Sequence, residues 1–164
     1  MNYWVMTDFH LGHKDKMVKW CGRPENYEDI LLHSLAGIPD EDVLIFLGDF
    51  CIGNDEFWHE THLRYKRTNI LVKGNHDSKS DSWYYKHGWS AVVESFTLKR
   101  FGKTILFSHK PQRDSGYDLN IHGHIHEATK LRYEQDVEDA KNDKQILIKP
   151  EQYKALSLKK ICNQ

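Results

Sequence analysis

At 164 residues, with 39% hydrophobic and 29% charged residues, the chain has the length of one domain with a proper core and the composition of an ordinary globular protein. A formal net charge of −1 gives no global pull toward nucleic acid or an anionic membrane surface. Cys21, Cys51 and Cys162 are odd in number and lack CxxC pairing, which argues against a disulfide framework or a thiolate zinc site.

The elements follow in chain order. YWVMT (3–7) is a short apolar run of the kind that forms a strand buried on both faces. NYEDILLHSLAGI (26–38) places Tyr27, Ile30, Leu31 and Leu35 on one helical stripe, with Gly37 as the stop. VLIFL (43–47) reads as a second strand. DEFWHETHLRYK (55–66) reads as a helix with a less regular stripe, and NILV (69–72) as a third strand. SDSWYYKHG (80–88) predicts a short helix ending at Gly88, and AVVESFTLKRFGKTILF (91–107) a hairpin turning through RFGK. NI (120–121) is the core of another strand. YEQDVEDAKNDK (133–144) is strongly polar and predicts a solvated loop or excursion, and KQILIKP (144–150) a last strand stopped by Pro150. Strands alternating with helices, then antiparallel strands late in the chain, predict an α/β fold in one domain over residues 1–164. With no run of about 18 apolar residues and no secretory opening, a cytoplasmic protein without a membrane span or obligate protein partner is expected.

Eleven histidines are the outlier of the composition. They concentrate where chemistry is expected in α/β folds, just past the C-terminal ends of strands. Asp8 and His10 follow YWVMT, and Asp49 follows VLIFLG. Asn75 and His76 follow NILVKG, His109 follows TILFS, and His124 and His126 come after LNIHG. Taken singly, each signal is weak, since DFH occurs by chance, GNHD reads as a turn and GHIH as an exposed polar strand. Together, five segments deliver Asp, Asn or His to one rim. Asp and neutral His suit divalent manganese, iron or zinc, and a set without cysteine argues against a closed structural zinc. Gly48, Gly74 and Gly123 stand where the chain must turn sharply and pass close to the site. Asp8 and His10, and likewise His124 and His126, are two residues apart; on extended backbone each pair would share a side.

In order, the blocks DFH (8–10), GD (48–49), GNHD (74–77), SH (108–109) and GHIH (123–126) resemble the calcineurin-like metallophosphoesterase superfamily. TDFHLGH followed by CGRPENYED is similar to its compact bacterial and phage-type members. The resemblance covers residues from about 3 to 126. It implies a four-layer αββα sandwich of two mixed β-sheets flanked by helices, with a final strand returning to the sheet. It also implies two divalent metal ions, manganese first, with iron, zinc, nickel or cobalt as alternatives. Asp8, His10 and His126 would hold one ion, Asn75, His109 and His124 the other, and Asp49 would bridge them. A bridging water or hydroxide would be the nucleophile, and His76 would meet the leaving group.

Protein serine/threonine phosphatases of the superfamily carry an arginine after the GD block and end the next block in Glu. GDFCIGN has no arginine and the later block ends in Asp77, which points away from them. DNA-repair nucleases of the superfamily append capping domains, for which 164 residues leave no room. A phosphodiesterase acting on a nucleotide-like or small phosphodiester is the expected function; a phosphomonoesterase, or a catalytically silent protein-binding scaffold, is the alternative. Lys110 and Arg113 read either as phosphate contacts or as ordinary surface cations. His13 reads equally as a rim residue facing phosphate or as a helix start. His122 reads as support for the site or structure. Asp77 orients His76 or caps its loop. Trp83, Tyr84 and Tyr85 either stack on a base or, for at least two of them, pack in the core, and His33, His59, His62 and His87 are expected on helix surfaces or interfaces.

Overall fold

The short branched run Val43–Phe46 is buried along its whole length, as a central strand of a parallel sheet must be. In the computed structural model, which describes residues 1–62, 66–113, 116–125, 134–141 and 143–163, β1 (Tyr3–Met6) is followed by α1 (Lys14–Cys21) and α2 (Tyr27–Ala36). Then come β2 (Val43–Phe46), α3 (Asp55–His62), β3 (Thr68–Val72), α4 (Asp81–Lys86), β4 (Ala91–Val93), β5 (Ser95–Arg100), β6 (Lys103–Ser108) and β7 (Leu119–His122). The C-terminal part holds α5 (Glu134–Asp139), β8 (Gln145–Leu147), a 3-10 turn (Pro150–Gln152), β9 (Leu156–Ser157) and α6 (Leu158–Cys162).

The strands form two mixed sheets, ordered β4-β3-β2-β1-β9 and β5-β6-β7-β8, with helices flanking, the expected α/β arrangement. In the first sheet β1 to β4 are parallel and β9 is antiparallel to β1, so the chain's last strand does return to the sheet. In the second, β5 runs antiparallel to β6, and β6, β7 and β8 are parallel. One core lies between the first sheet and the helices, built from Phe46, Leu44, Met17, Leu31, Leu35 and Tyr84 among others. A second lies between the sheets, where Val5, Ile45 and Val72 meet Ile105, Phe107 and Ile121. Each such fully buried aliphatic side chain contributes about 1.5–3 kcal/mol relative to exposure.

Register decides where the functional loops emerge. Met6 stands beside Phe46 and Phe46 beside Leu71, so β1, β2 and β3 end level with one another. In the other sheet Ser108 stands beside His122, so β6 and β7 also end together. Five loops therefore leave one edge of the double sheet.

Three sequence expectations change. The run 91–107 does turn through RFGK as the antiparallel β5–β6 pair, with Arg100 opposite Lys103, but its first residues are not part of that hairpin: β4 pairs with β3 in the first sheet, and after the exposed Glu94 the chain enters β5 in the second. A polar residue marks a crossing between sheets that a two-strand reading cannot see. KQILIKP is a strand only over Gln145–Leu147, and Pro150 starts the 3-10 turn. The polar stretch 133–144 contains α5, a helix with no buried residue. It is held by local contacts such as Gln135 Nε2 to Asp139 Oδ1 at 2.8 Å, and by ion pairs to the site described below. No described helix is long and apolar enough to cross a membrane.

Candidate metal centre

The loops after β1 and β2 run side by side past their strands: Asp8 N donates to Gly48 O at 2.9 Å, and His10 N to Asp49 O at 3.0 Å. This continued pairing carries Asp8, His10 and Asp49 to one place. The backbone there is not extended. Asp8, His10, Asp49 and His124 have φ of 52°, 50°, 59° and 66°, a left-handed conformation that costs non-glycine residues roughly 1–3 kcal/mol each and gathers at functional sites. The expected extended geometry is thus corrected at 8–10 and 123–125: the strands end at Met6 and His122, and Asp8, His10 and His124 are turned in by the loops that follow. Glycines make this approach possible. A Cβ at Gly74 would meet the Asp49 carboxylate, and one at Gly123 would meet the Thr7 hydroxyl and Asp8 Oδ2.

Asp49 is the centre. Its Oδ2 lies 3.6 Å from His109 Nε2, 3.8 Å from His10 Nε2 and 4.0 Å from His76 Nε2. Its Oδ1 accepts the His76 backbone N–H at 2.8 Å. Two donor sets share it, His10–Asp49–His76 and Asp49–His109–His124, each with ligand atoms within 4.8 Å of one another. Asp8 Oδ1 joins the first at 3.6 Å from His10 Nε2. Asn75 Oδ1 joins the second at 3.0 Å from His109 Nε2, which is also 3.0 Å from His124 Nδ1. Asp8 Oδ2 accepts the His124 backbone N–H at 2.9 Å, tying the two sheets together across the site.

The protons argue for a cation. His109 Nδ1 lies 2.7 Å from Leu47 O and donates to that carbonyl, which leaves Nε2 facing the site. Nε2 then faces two acceptors, Asn75 Oδ1 and Asp49 Oδ2, and lies 3.0 Å from His124 Nδ1. Such a donor set fits a divalent ion with N/O ligands. Burial pushes the Asp49 carboxyl up to about 7, with the Asp8 and Asp77 charges adding and His109 opposing. For His109, burial lowers the imidazole, but Asp8, Asp49 and the Leu47 carbonyl outweigh it and raise it above its ordinary value. Burial and His109 hold His124 down at about 4, and burial lowers His10 and His76. Near neutrality, therefore, the Asp49–His109 pair holds a proton that a cation must expel. Divalent-metal affinity is expected to fall about tenfold per pH unit below pH 7 and to level off above it, because low pH fills the site with the competing proton. Manganese titrations by calorimetry in buffers of different ionisation heat at pH 6.5 check this; binding without proton release would contradict it.

Asp77 caps the loop. Its Oδ2 accepts Asp49 N at 2.7 Å and Gly74 N at 2.8 Å, locking the GD and GNHD turns together. His76 stays half exposed, with 44% of its side chain accessible, at the mouth of a groove of ≈ 550 Å³ lined by Ile52, Asn54, Ser78, Lys79 and Trp83. Lys110 and Arg113 are at the rim, yet both are engaged by α5. Asp136 Oδ2 lies 3.2 Å from Lys110 Nζ and 3.2 Å from His124 Nε2, and Asp139 pairs with the Arg113 guanidinium. His13 stands at the N-cap position of α1 without a side-chain capping bond, half-buried, and its imidazole is lowered by burial, Lys16 and His76. His122 is buried, Nδ1 3.0 Å from Gly123 O. His126 lies outside the described residues.

Of the two places expected for His59, a helix surface or an interface, the surface is excluded: it is 1% exposed, because Phe50, Trp83, Tyr84 and Trp89 surround its ring. Trp83 and Tyr84 pack against the core, Trp83 with His87 stacked on it, and only Tyr85 is exposed. Sequence reasoning missed Asp136, hidden in the polar stretch, and left the RPENYE segment without a role.

A family model described as calcineurin-like phosphoesterase matches residues 1–158. Among solved structures, a protein of unknown function from Aquifex aeolicus is 22% identical, with a TM-score of 0.71, and covers 99% of this chain and 98% of its own. An archaeal phosphodiesterase is 19% identical, with a TM-score of 0.51 over 77% of this chain and 74% of that one. Vacuolar protein sorting 29 from Cryptosporidium parvum is 18% identical, with a TM-score of 0.41 over 74% and 63%. No curated protein matches the chain.

Proposed function

The chain belongs to the calcineurin-like phosphoesterase family, and from that membership we propose that it is a two-metal phosphodiesterase acting on a nucleotide-like or other small phosphodiester. The observation that carries this reading is Asp49, one buried carboxylate common to two His-containing donor sets. Asp8, His10 and Asp49 would hold one cation and Asp49, Asn75, His109 and His124 the other, with manganese the first candidate. Two such ions, when bound, supply Lewis acidity that activates water and neutralises phosphoryl oxygens.

The chain's own residues do the rest. Asp77 fixes the two turns that present Asp49 and Asn75, and Leu47 O orients the His109 ring. His76, lowered by burial, would be a neutral imidazole at working pH, and its ring N–H would donate to the leaving-group oxygen. The groove beside it has room for the departing arm of a diester. A monoester dianion needs extra positive charge instead, and the two rim cations, Lys110 and Arg113, are already paired with Asp136 and Asp139.

Bis-p-nitrophenyl phosphate and p-nitrophenyl phosphate, compared with manganese, test the preference. The diester is expected to have a kcat/KM about tenfold higher or more, lost on chelation and restored by manganese. A higher value for the monoester would reassign the protein as a phosphomonoesterase. A metal-loaded protein inert to both, and to nucleotide-like diesters, would make it a binding scaffold.

A further inference from the structure

The segment RPENYE, twelve residues beyond the ligand loop and absent from any role so far, reaches back onto that loop at four points. Arg23 Nη2 donates to Asp8 O and Nη1 to Phe9 O, each at 2.9 Å. The Tyr27 hydroxyl donates to His10 O at 2.8 Å. Gly12 N donates to Glu28 Oε1 at 2.7 Å. Every residue from Asp8 to His10 thus has its carbonyl held by a side chain of this segment, and Gly12 has its amide held.

The setting makes these bonds decisive. Arg23 and Tyr27 are 2% and 0% exposed, and the guanidinium lies 5.1 Å from the centre of the Tyr27 ring. Their partners are the carbonyls of a loop in which Asp8 and His10 adopt left-handed backbone that their side chains disfavour. A peptide carbonyl swings when its residue leaves that conformation, so fixing the carbonyls fixes the dihedrals and with them the direction of the Asp8 and His10 side chains. Arg is suited to this because its planar fork holds two adjacent carbonyls at once, whereas Lys offers a single point. The guanidinium also places a positive charge beneath a site rich in carboxylate.

We propose that Arg23 and Tyr27 are positioning residues for the metal site built on Asp8 and His10, acting through the backbone of the 8–10 loop and touching neither substrate nor ion. The inference rests on the two-metal reading given above. It assigns the two donor sets different supports: the first depends on this segment, and the second on Asp77 and Leu47 O.

That division gives the test. Tyr27→Phe removes one hydroxyl from a buried ring and keeps its shape, and Arg23→Lys keeps the charge without the fork. Manganese binding to each variant is followed by calorimetry, with thermal unfolding alongside. Tyr27→Phe is expected to weaken the first site about tenfold and Arg23→Lys up to about a hundredfold, the usual scale for groups that orient ligands. The second site meets this segment only at one remove, through Asp8 Oδ2 and the His124 N–H, so it should weaken by no more than about threefold, clearly less than the first. Equal weakening of both sites, or a lower Tm with both affinities unchanged, would overturn the inference, since either marks a merely structural role. If Arg23→Lys fails to fold, Tyr27→Phe decides alone. Wild-type protein that binds no metal would overturn the two-metal reading and this inference with it; wild type with two metals beside an unaffected Tyr27→Phe overturns this inference only.

Discussion

Asp49→Asn is expected to lose both cations and with them essentially all hydrolysis, while the protein still folds. The substitution keeps the size of the side chain and an oxygen for the His76 backbone N–H, now bonded at 2.8 Å. What it removes is the negative charge whose Oδ2 faces His109, His10 and His76 at 3.6 to 4.0 Å. Two divalent ions held by imidazoles, one amide and one other carboxylate would lack the anion that separates them. Metal affinity is expected to fall about a hundredfold or more, and kcat/KM by roughly 1,000-fold, about 4 kcal/mol of transition-state stabilisation. Stability should hold or rise, because burial already disfavours the ionised carboxylate enough to push it up to about 7. Elemental analysis and thermal unfolding of the variant check both halves. Two metals per chain at wild-type affinity would remove Asp49 from its bridging role.

His76→Ala is expected to keep both cations and lose about 100-fold in kcat, the usual scale of lost acid–base help. Asn75 reaches His109 Nε2 with its amide oxygen, and His76, the next residue, is the half-exposed one at the groove. The loss should be smaller for p-nitrophenolate, which leaves readily, than for an alkoxide. Equal losses would mean that His76 positions phosphate and does not donate to the leaving oxygen. The geometry also gives this variant a sharper edge, because His76 Nε2 is close enough to His10 and Asp49 to be a ligand itself. Loss of one metal in the variant would place it there.

Residue type and position after a strand were enough to mark Asp8, His10, Asp49, Asn75, His109 and His124 from the sequence. Such residues are costly in a core, and α/β strands end at their sites. The two-sheet arrangement was legible through resemblance more than through periodicity, since runs such as VLIF, buried along their whole length, do not say which sheet they join. What stayed hidden has a physical reason in each case. The left-handed turns at Asp8, His10 and His124 are imposed by tertiary contacts, among them Arg23, Tyr27 and the Asp8 carboxylate, and those residue types do not announce them. Helix α5 has no apolar stripe, because ion pairs to Lys110 and Arg113 and the contact of Asp136 with the neutral His124 ring hold it where a buried face would otherwise do so. His59 could be read as a surface or an interface residue, and the choice is made only by the aromatic rings that α4 and the loops after β2 and α4 bring around it.

The central claim is that one carboxylate serves two cations. Anomalous diffraction from manganese-soaked crystals of the wild-type protein tests it most directly. Two peaks about 3.5–4 Å apart on either side of the Asp49 carboxylate, one toward His10 and the other toward His109, are the result this account predicts. A single peak, or two peaks that do not share Asp49, would contradict it.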